Sequence, residues 1–372
     1  MIYLDHAATT PMRSGVLEAM LPYLADSYAN ASAAYAHARR NRRAIEHARQ
    51  QVAALIGAHP GEIYFTSGGT ESDNWALRGA LDAQKGRNAI VTSAIEHHAV
   101  ISACEWLASH GADCRYLPAD DRGYIDIESV HTQIDEKTAI VSVMLANNEV
   151  GTIQPIEEVT AVAHHAGALM HTDAVQAAGH IPIDVNSLGV DLLSMSAHKF
   201  GGPKGIGALY IRKRTRIEAF IRGGEQEKGM RAGTENIPAI VGMGVAAHLS
   251  CVAMEDEGNY IRQLRDAMRV IIRERLPEVR INGDEKDCLP GHVHISIPAG
   301  DASLLLARLD MEGIAASSAS ACAAGSIERS HVLKAIYPKE TGYADLRFTI
   351  GAGNTMEEIM RTTAVLERLI RE

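Results

Sequence analysis

The stretch Leu192-Leu-Ser-Met-Ser-Ala-His-Lys-Phe-Gly-Gly-Pro-Lys-Gly-Ile-Gly-Ala-Leu-Tyr-Ile211 holds two short apolar runs around a polar, glycine-rich turn. The runs Leu192–Met195 and Ile206–Ile211 read as strands. They are rich in Leu, Ile, Met and Ala without strict alternation, as in strands buried on both faces. Working outward, similar runs recur at Glu62–Phe65, Ala89–Thr92, Asp113–Leu117, Thr138–Leu145 and Ala168–His171. Helix-length amphipathic stretches lie among them at Ser72–Ala83, Ala99–His110 and Ile156–His165. Strands alternating with helices predict an α/β fold, a mostly parallel sheet with helices on both faces. A long helix is predicted from Pro238 to about Leu276. Beyond it, a strand at His292–Ile297, a helix near Ala302–Leu309 and a final helix from Thr355 predict a smaller C-terminal α/β domain. The expected division is an N-terminal segment 1–15 packing with the small domain, a large domain 16–250 and a small domain 251–372.

Composition sets limits on function. The chain has 372 residues, 46% hydrophobic and 22% charged, and a net charge of −10, which argues against nonspecific nucleic-acid binding. No apolar run is expected to reach the roughly 18–20 residues needed to span a bilayer. The N-terminus, Met-Ile-Tyr-Leu-Asp-His, shows no basic stretch or apolar core of a secretion signal. The five cysteines, Cys104, Cys114, Cys251, Cys288 and Cys322, form no C-x-x-C pair. A reduced cytoplasmic setting is therefore expected, without a disulfide framework or a zinc site. His97 and His98 are adjacent, so on a helix they point apart, and no metal is expected there.

Four segments carry chemistry. In 194–199 a buried strand ends in two hydroxyls, an imidazole and an amine, and Gly and Pro then turn the chain. An amine held so rigidly suits a Schiff base, and the same pattern also describes a surface lysine in a turn. Ala168-Leu-Met-His-Thr-Asp-Ala-Val-Gln176 places Asp173 at another strand end. A buried carboxylate there needs a partner, such as a pyridinium nitrogen, unless it caps a helix. Phe65-Thr-Ser-Gly-Gly-Thr-Glu-Ser72 is strand, glycine turn and helix start, the layout of an anion site at a helix N-terminus. It matches neither the P-loop nor the dinucleotide fingerprint. In Ala316-Ser-Ser-Ala-Ser-Ala-Cys-Ala-Ala-Gly325 a single thiol sits among small residues, a setting for an exposed and reactive cysteine.

Together with Tyr3-Leu-Asp-His-Ala-Ala-Thr-Thr-Pro11, Glu96-His-His-Ala-Val100, Asn147-Asn-Glu-Val-Gly151, Gly223-Gly-Glu-Gln-Glu-Lys-Gly-Met-Arg-Ala-Gly-Thr-Glu-Asn236, Ser330-His-Val-Leu333 and Leu346-Arg-Phe-Thr-Ile-Gly351, these segments resemble the cysteine desulfurases of the NifS and IscS type almost end to end. The resemblance implies the fold of the aspartate-aminotransferase-like pyridoxal-phosphate enzymes, a homodimer, and conversion of L-cysteine to L-alanine. It implies that Lys199 carries pyridoxal 5'-phosphate, Asp173 pairs with the ring nitrogen and Gln176 bonds the ring hydroxyl. It also implies that His97 stacks on the ring and moves protons. Gly69 belongs to the cofactor turn, and Thr70, Ser196 and His198 hold the phosphate, joined by Thr234 of the partner subunit. Asn148 and Arg347 receive the substrate carboxylate, and Cys322 accepts sulfur as a persulfide. The sulfur then passes to an acceptor protein, an iron–sulfur scaffold or a thiolation enzyme of nucleic acid. Selenocysteine lyase or aminotransferase activity is the alternative within the superfamily, and a non-catalytic sulfur carrier or scaffold the alternative outside it.

The chain departs from the family pattern at Ala31, Ala33 and Tyr35, whereas Arg39 matches. Lys228 stands where Arg is usual, Ala319 where Gly is usual and Arg329 where Pro is usual. None of these changes removes a residue of the core chemistry.

Overall fold

The computed structural model describes residues 1–318 and 329–372. Cys322 and Ala319 lie outside the described residues. From the N-terminus the elements are β1 (Ile2–Tyr3), α1 (Val16–Ala25), α2 (Ala36–Leu55), β2 (Ile63–Thr66), α3 (Gly69–Ala83), β3 (Ala89–Ser93), α4 (His98–Ser109), β4 (Asp113–Leu117), α5 (Ile127–Gln133), β5 (Thr138–Ser142), α6 (Ile156–His165), β6 (Leu169–Asp173), α7 (Val185–Leu188), β7 (Leu192–Ser196) and β8 (Gly207–Ile211). They continue with α8 (Ile237–Arg275), β9 (Arg280–Asn282), β10 (His292–Pro298), α9 (Ala302–Met311), β11 (Ile314–Ala315), α10 (His331–Ile336), β12 (Tyr343–Thr349) and α11 (Met356–Arg371).

The central sheet has seven strands in the order β2-β8-β7-β6-β5-β3-β4. All pairings from β4 through β7 are parallel, and β8 runs antiparallel between β7 and β2. The antiparallel β8 follows from the short glycine turn after Lys199, since so few residues cannot make the crossover that a parallel neighbour needs. Where β8 begins, space is tight: a Cβ on Gly207 would lie 2.5 Å from the Met195 carbonyl and 2.7 Å from the Gly68 Cα. Strands β3, β5, β7 and β8 are buried along their whole length, matching their unbroken apolar character.

Two hydrophobic cores lie along α8. Ile237, Ile240, Met243 and Ala247 pack with Val52, Ile56 and Phe200 in the core of the large sheet. Ile261, Leu264, Met268 and Ile272 pack with Leu346, Phe348 and Leu366 in the second core. Ile2 and Leu4 join that second core, because β1 pairs in parallel with β11. A three-stranded sheet, β12-β10-β9, supports it.

One composition-based expectation fails here. The start of α8 is long and apolar enough by length and composition to cross a membrane, although no such run was expected. Half of that stretch is buried inside the protein, 50% by residue, against helices such as α1 and α2. A core helix meets the same length-and-composition test as a membrane span, because both bury their apolar side chains.

The block around Glu227 ties a loop to the sheet. Arg49 of α2 forms a two-pronged ion pair with Glu227, both contacts at 2.8 Å, and also donates to the Ile63 carbonyl at 2.7 Å. Glu227 accepts in turn from the Phe65 amide of β2 at 2.9 Å. Both side chains are 5% exposed. Arg49→Ala leaves the Glu227 carboxylate buried and unpaired, and is expected to destabilise the protein by about 3–5 kcal/mol. Urea unfolding reads this as a lower midpoint, and a loss below about 1 kcal/mol would show the pair to be as weak as a surface one.

Candidate active site

The site lies at the C-terminal ends of the central strands, where open α/β sheets bind ligands. Each strand contributes a polar group just past its last apolar residue. Strand β7 ends at Ser196, and a tight turn, Ala197–Lys199, presents His198 and Lys199. Strand β6 ends at Asp173. Strand β2 leads through Ser67 and Gly68 into α3, whose N-terminus has no side-chain cap. The leading amides of α3 are thus open to an anion. Gly69 is required at this turn, since a Cβ would approach Val175 Cγ2 to 2.6 Å. The helix start extends further toward the strand than the predicted Ser72, because both glycines belong to the turn that feeds it.

These groups line one cavity of about 210 Å³. Its walls include Gly69, Thr70, His97, Asn148, Asp173, Gln176, Ser196, His198 and Lys199. Nine of the predicted residues therefore meet at one place. Arg347 and Thr234 are not in the wall. Arg347 stands beside it, donating to the Asn148 carbonyl and to Asp5 Oδ1, each at 2.9 Å, while its Nε has no partner. Thr234 is exposed on the stretch before α8.

Burial sets the protonation states. His97 caps α4, its Nδ1 accepting from the Ala99 amide at 3.1 Å, so the ring proton belongs on Nε2. Burial, helped by the charge of Lys199, lowers its pKa to about 4, and the ring is neutral near pH 7. His198 is lowered to about 4 for the same two reasons, with Lys204 adding to the effect. Burial raises the pKa of Asp173, while the Val175 amide, donating at 2.8 Å, and the charge of Lys199 pull the other way. The Lys199 amine donates to the Ala7 carbonyl at 2.5 Å and the Ala8 carbonyl at 2.9 Å. Gln176 donates to the same Ala7 carbonyl at 3.0 Å.

Some of the site was not anticipated. The Ala7 and Ala8 carbonyls, Asp5 as partner of Arg347, and Asp73 and Met144 in the wall all come from the fold. Asp73 alone carried a local signal. It follows Gly69 by four residues, one helical turn, and so shares the inward face of α3.

The donor set fits pyridoxal phosphate. There is an amine for its aldehyde, a carboxylate at a strand end for its ring nitrogen, and an uncapped helix start with Ser196 and Thr70 for its phosphate. The Asn148 Oδ1, buried without a partner, marks polar capacity that the protein itself leaves unused.

A sheet of this order, with an amine and a carboxylate converging past its strand ends, defines a pyridoxal-phosphate enzyme of the aminotransferase-like class. The family model for class-V aminotransferases matches residues 2–362. The chain is 46% identical over 374 residues to the cysteine desulfurase IscS of Dictyoglomus turgidum, covering 100% of this chain and 95% of that one. Among solved structures, a NifS-like protein superposes with a TM-score of 0.93 at 35% identity, covering 100% of this chain and 99% of that one. SspA in complex with cysteine superposes with a TM-score of 0.83 at 34% identity, covering 95% of this chain and 100% of that one. The chain belongs to the class-V aminotransferase family, among the cysteine desulfurases of the NifS and IscS type.

Proposed function

We propose that this protein removes sulfur from L-cysteine, releases L-alanine and holds the sulfur on Cys322 as a persulfide. The observation that carries the reading is the convergence of Lys199, Asp173 and His97 on one cavity. Bound pyridoxal phosphate supplies the electron sink that loosens bonds at Cα and Cβ of the substrate.

The chain's own residues do the rest. Lys199, once free of the cofactor, takes the proton from the substrate Cα. Asp173 stays anionic and holds the proton on the ring nitrogen. His97, neutral at working pH, carries its proton on Nε2 and has Nδ1 engaged by the Ala99 amide, so it takes up a further proton only by releasing that amide. Arg347 holds the substrate carboxylate through a paired set of hydrogen bonds, with Asn148 beside it. To do so it gives up part of its present bond to Asp5. The Cys322 thiolate attacks the substrate sulfur. The Cβ–Sγ bond breaks with its electron pair going to carbon, a proton replaces the sulfur, and alanine leaves.

The working unit in this reading is a homodimer in the cytoplasm, with Thr234 of the partner subunit completing the phosphate site. The exposure of Thr234 in the single chain supports that placement. The sulfur goes on to an acceptor protein, an iron–sulfur scaffold or a nucleic-acid thiolation enzyme. The division into 1–15, 16–250 and 251–372 is supported by the two cores that share α8.

The direct test is incubation of the purified holoenzyme with L-cysteine, measuring alanine and protein-bound sulfur together. One alanine per sulfur is expected, and pyruvate or a keto acid in place of alanine would contradict the reading. Asp173→Ala is expected to lower kcat on the order of 10²–10³-fold, the range for removing one preorganised electrostatic partner. Unchanged turnover would count against pairing with the ring nitrogen.

A further inference from the structure

Beside Asp173 lies a second carboxyl that the reaction described above does not use. Asp73 sits one turn into α3, is 1% exposed, and lines the same cavity as Lys199 and Asp173. A row of side chains from three adjacent strands meets it. Ser142 of β5 bonds His171 Nδ1 at 2.8 Å, and His171 Nε2 of β6 bonds Ser194 Oγ of β7 at 2.9 Å. The Ser194 hydroxyl faces Asp73, whose Oδ1 lies 3.6 Å from His171 Nε2. Strand register sets Ser142 opposite His171, whose partner on β7 is Leu192, so the His171–Ser194 contact runs diagonally to the residue two positions on.

The Oδ1 of Asp73 is buried and has no hydrogen-bond partner. The groups that face Asp73 are Asp173 and His171 from β6, Ser194 from β7, and Glu96 from the turn after β3. His171 supplies no positive charge, because burial lowers its pKa to about 3. Two carboxyls close together in a dry site do not both ionise. Lys199 interacts with Asp173, so the negative charge settles on Asp173 and the proton on Asp73. Burial and the neighbouring acids raise the pKa of Asp73, outweighing the Ser194 hydroxyl, which pulls it down.

We propose that Asp73 is a positioning residue for the cofactor: braced by the Ser194–His171–Ser142 row, it stands neutral beside Asp173 and leaves one ionised carboxylate directed at the pyridine nitrogen. An ionised Asp73 would drive a proton onto Asp173 and remove the ring nitrogen's anionic partner. A neutral carboxyl avoids this and its dipole stabilises the carboxylate next to it. The inference rests on the reading of the site given above.

The test uses the holoenzyme and three readouts: cofactor affinity on reconstitution, the pH titration of the bound cofactor's absorbance, and kcat and KM for L-cysteine. Asp73→Ala is expected to weaken cofactor binding and lower kcat by about 10–100-fold, the range for outer partners that orient a ligand, with KM little changed. The absorbance titration shifts with it. Asp73→Asn keeps a neutral group of the same shape and is expected to rescue most of the loss. Wild-type behaviour of Asp73→Ala in all three readouts would overturn the inference. So would an Asp73→Asn variant, folded by circular dichroism, that is as impaired as the alanine variant. If Asp73→Ala does not fold, Ser194→Ala removes the brace alone and must shift the absorbance titration in the same direction; no shift overturns the inference. If the wild type shows no absorbance that Lys199→Ala removes, the reading of the site fails. If that absorbance is present and the Asp73 variants leave it untouched, only this inference fails.

Discussion

Lys199→Ala is expected to abolish desulfuration and the cofactor absorbance near the visible edge. Two losses combine in this one change. In the proposed mechanism it removes the amine that anchors the cofactor and also the base that takes the Cα proton. Positioned acid–base groups contribute about 10²–10⁴-fold each, and the lost covalent anchorage adds to that. A fall in kcat of at least about 10⁴-fold is therefore expected. The site should otherwise persist. Asp173, His97 and the α3 turn are held by their own strands and caps, and Lys199 bonds the Ala7 and Ala8 carbonyls of the N-terminal segment. The measurement is alanine formation from L-cysteine together with an absorbance spectrum of the reconstituted variant. A variant that keeps both signals removes Lys199 from the mechanism.

Cys322→Ser is expected to bind cofactor and L-cysteine normally and to form no protein persulfide. A hydroxyl is a poor nucleophile toward sulfur and does not form a stable product with it. A free thiol, with a pKa of about 8.5, is only a few per cent ionised at neutral pH, so some activation of the acceptor thiol is expected. Mass spectrometry of the protein after one turnover reads the result, with one added sulfur per wild-type chain and none on the variant. Sulfur found at Cys104, Cys114, Cys251 or Cys288 in the variant, with normal alanine release, would move the acceptor role elsewhere. Cys104 and Cys288 are buried, which speaks against them.

The site was legible where its residues stand next to local signals. Lys199 and Asp173 each follow an apolar run, and such a run places its last residue at a sheet edge. Gly69 marks the turn into α3 because a side chain there would meet Val175. Arg347 was legible only through resemblance. Its strand gives no reason for a guanidinium, which is explained by Asp5 across 342 positions of sequence. The membrane estimate failed at α8 because composition records apolar content and not what covers it.

From the sequence alone come the alternation of strands and helices and the expectation of two domains, which depend on periodicity. The expected amine, carboxylate and thiol come from residues at run ends and in a small-residue loop, and their roles come from the family resemblance. Tertiary structure decided the rest: the antiparallel place of β8, the Ala7 and Ala8 carbonyls at the lysine, and the row from Ser142 to Asp73. These contacts join segments tens to hundreds of residues apart. Which strands lie side by side, and in what register, sets whether a buried carboxyl meets a hydroxyl, a cation or another acid, and so which of two acids keeps its proton.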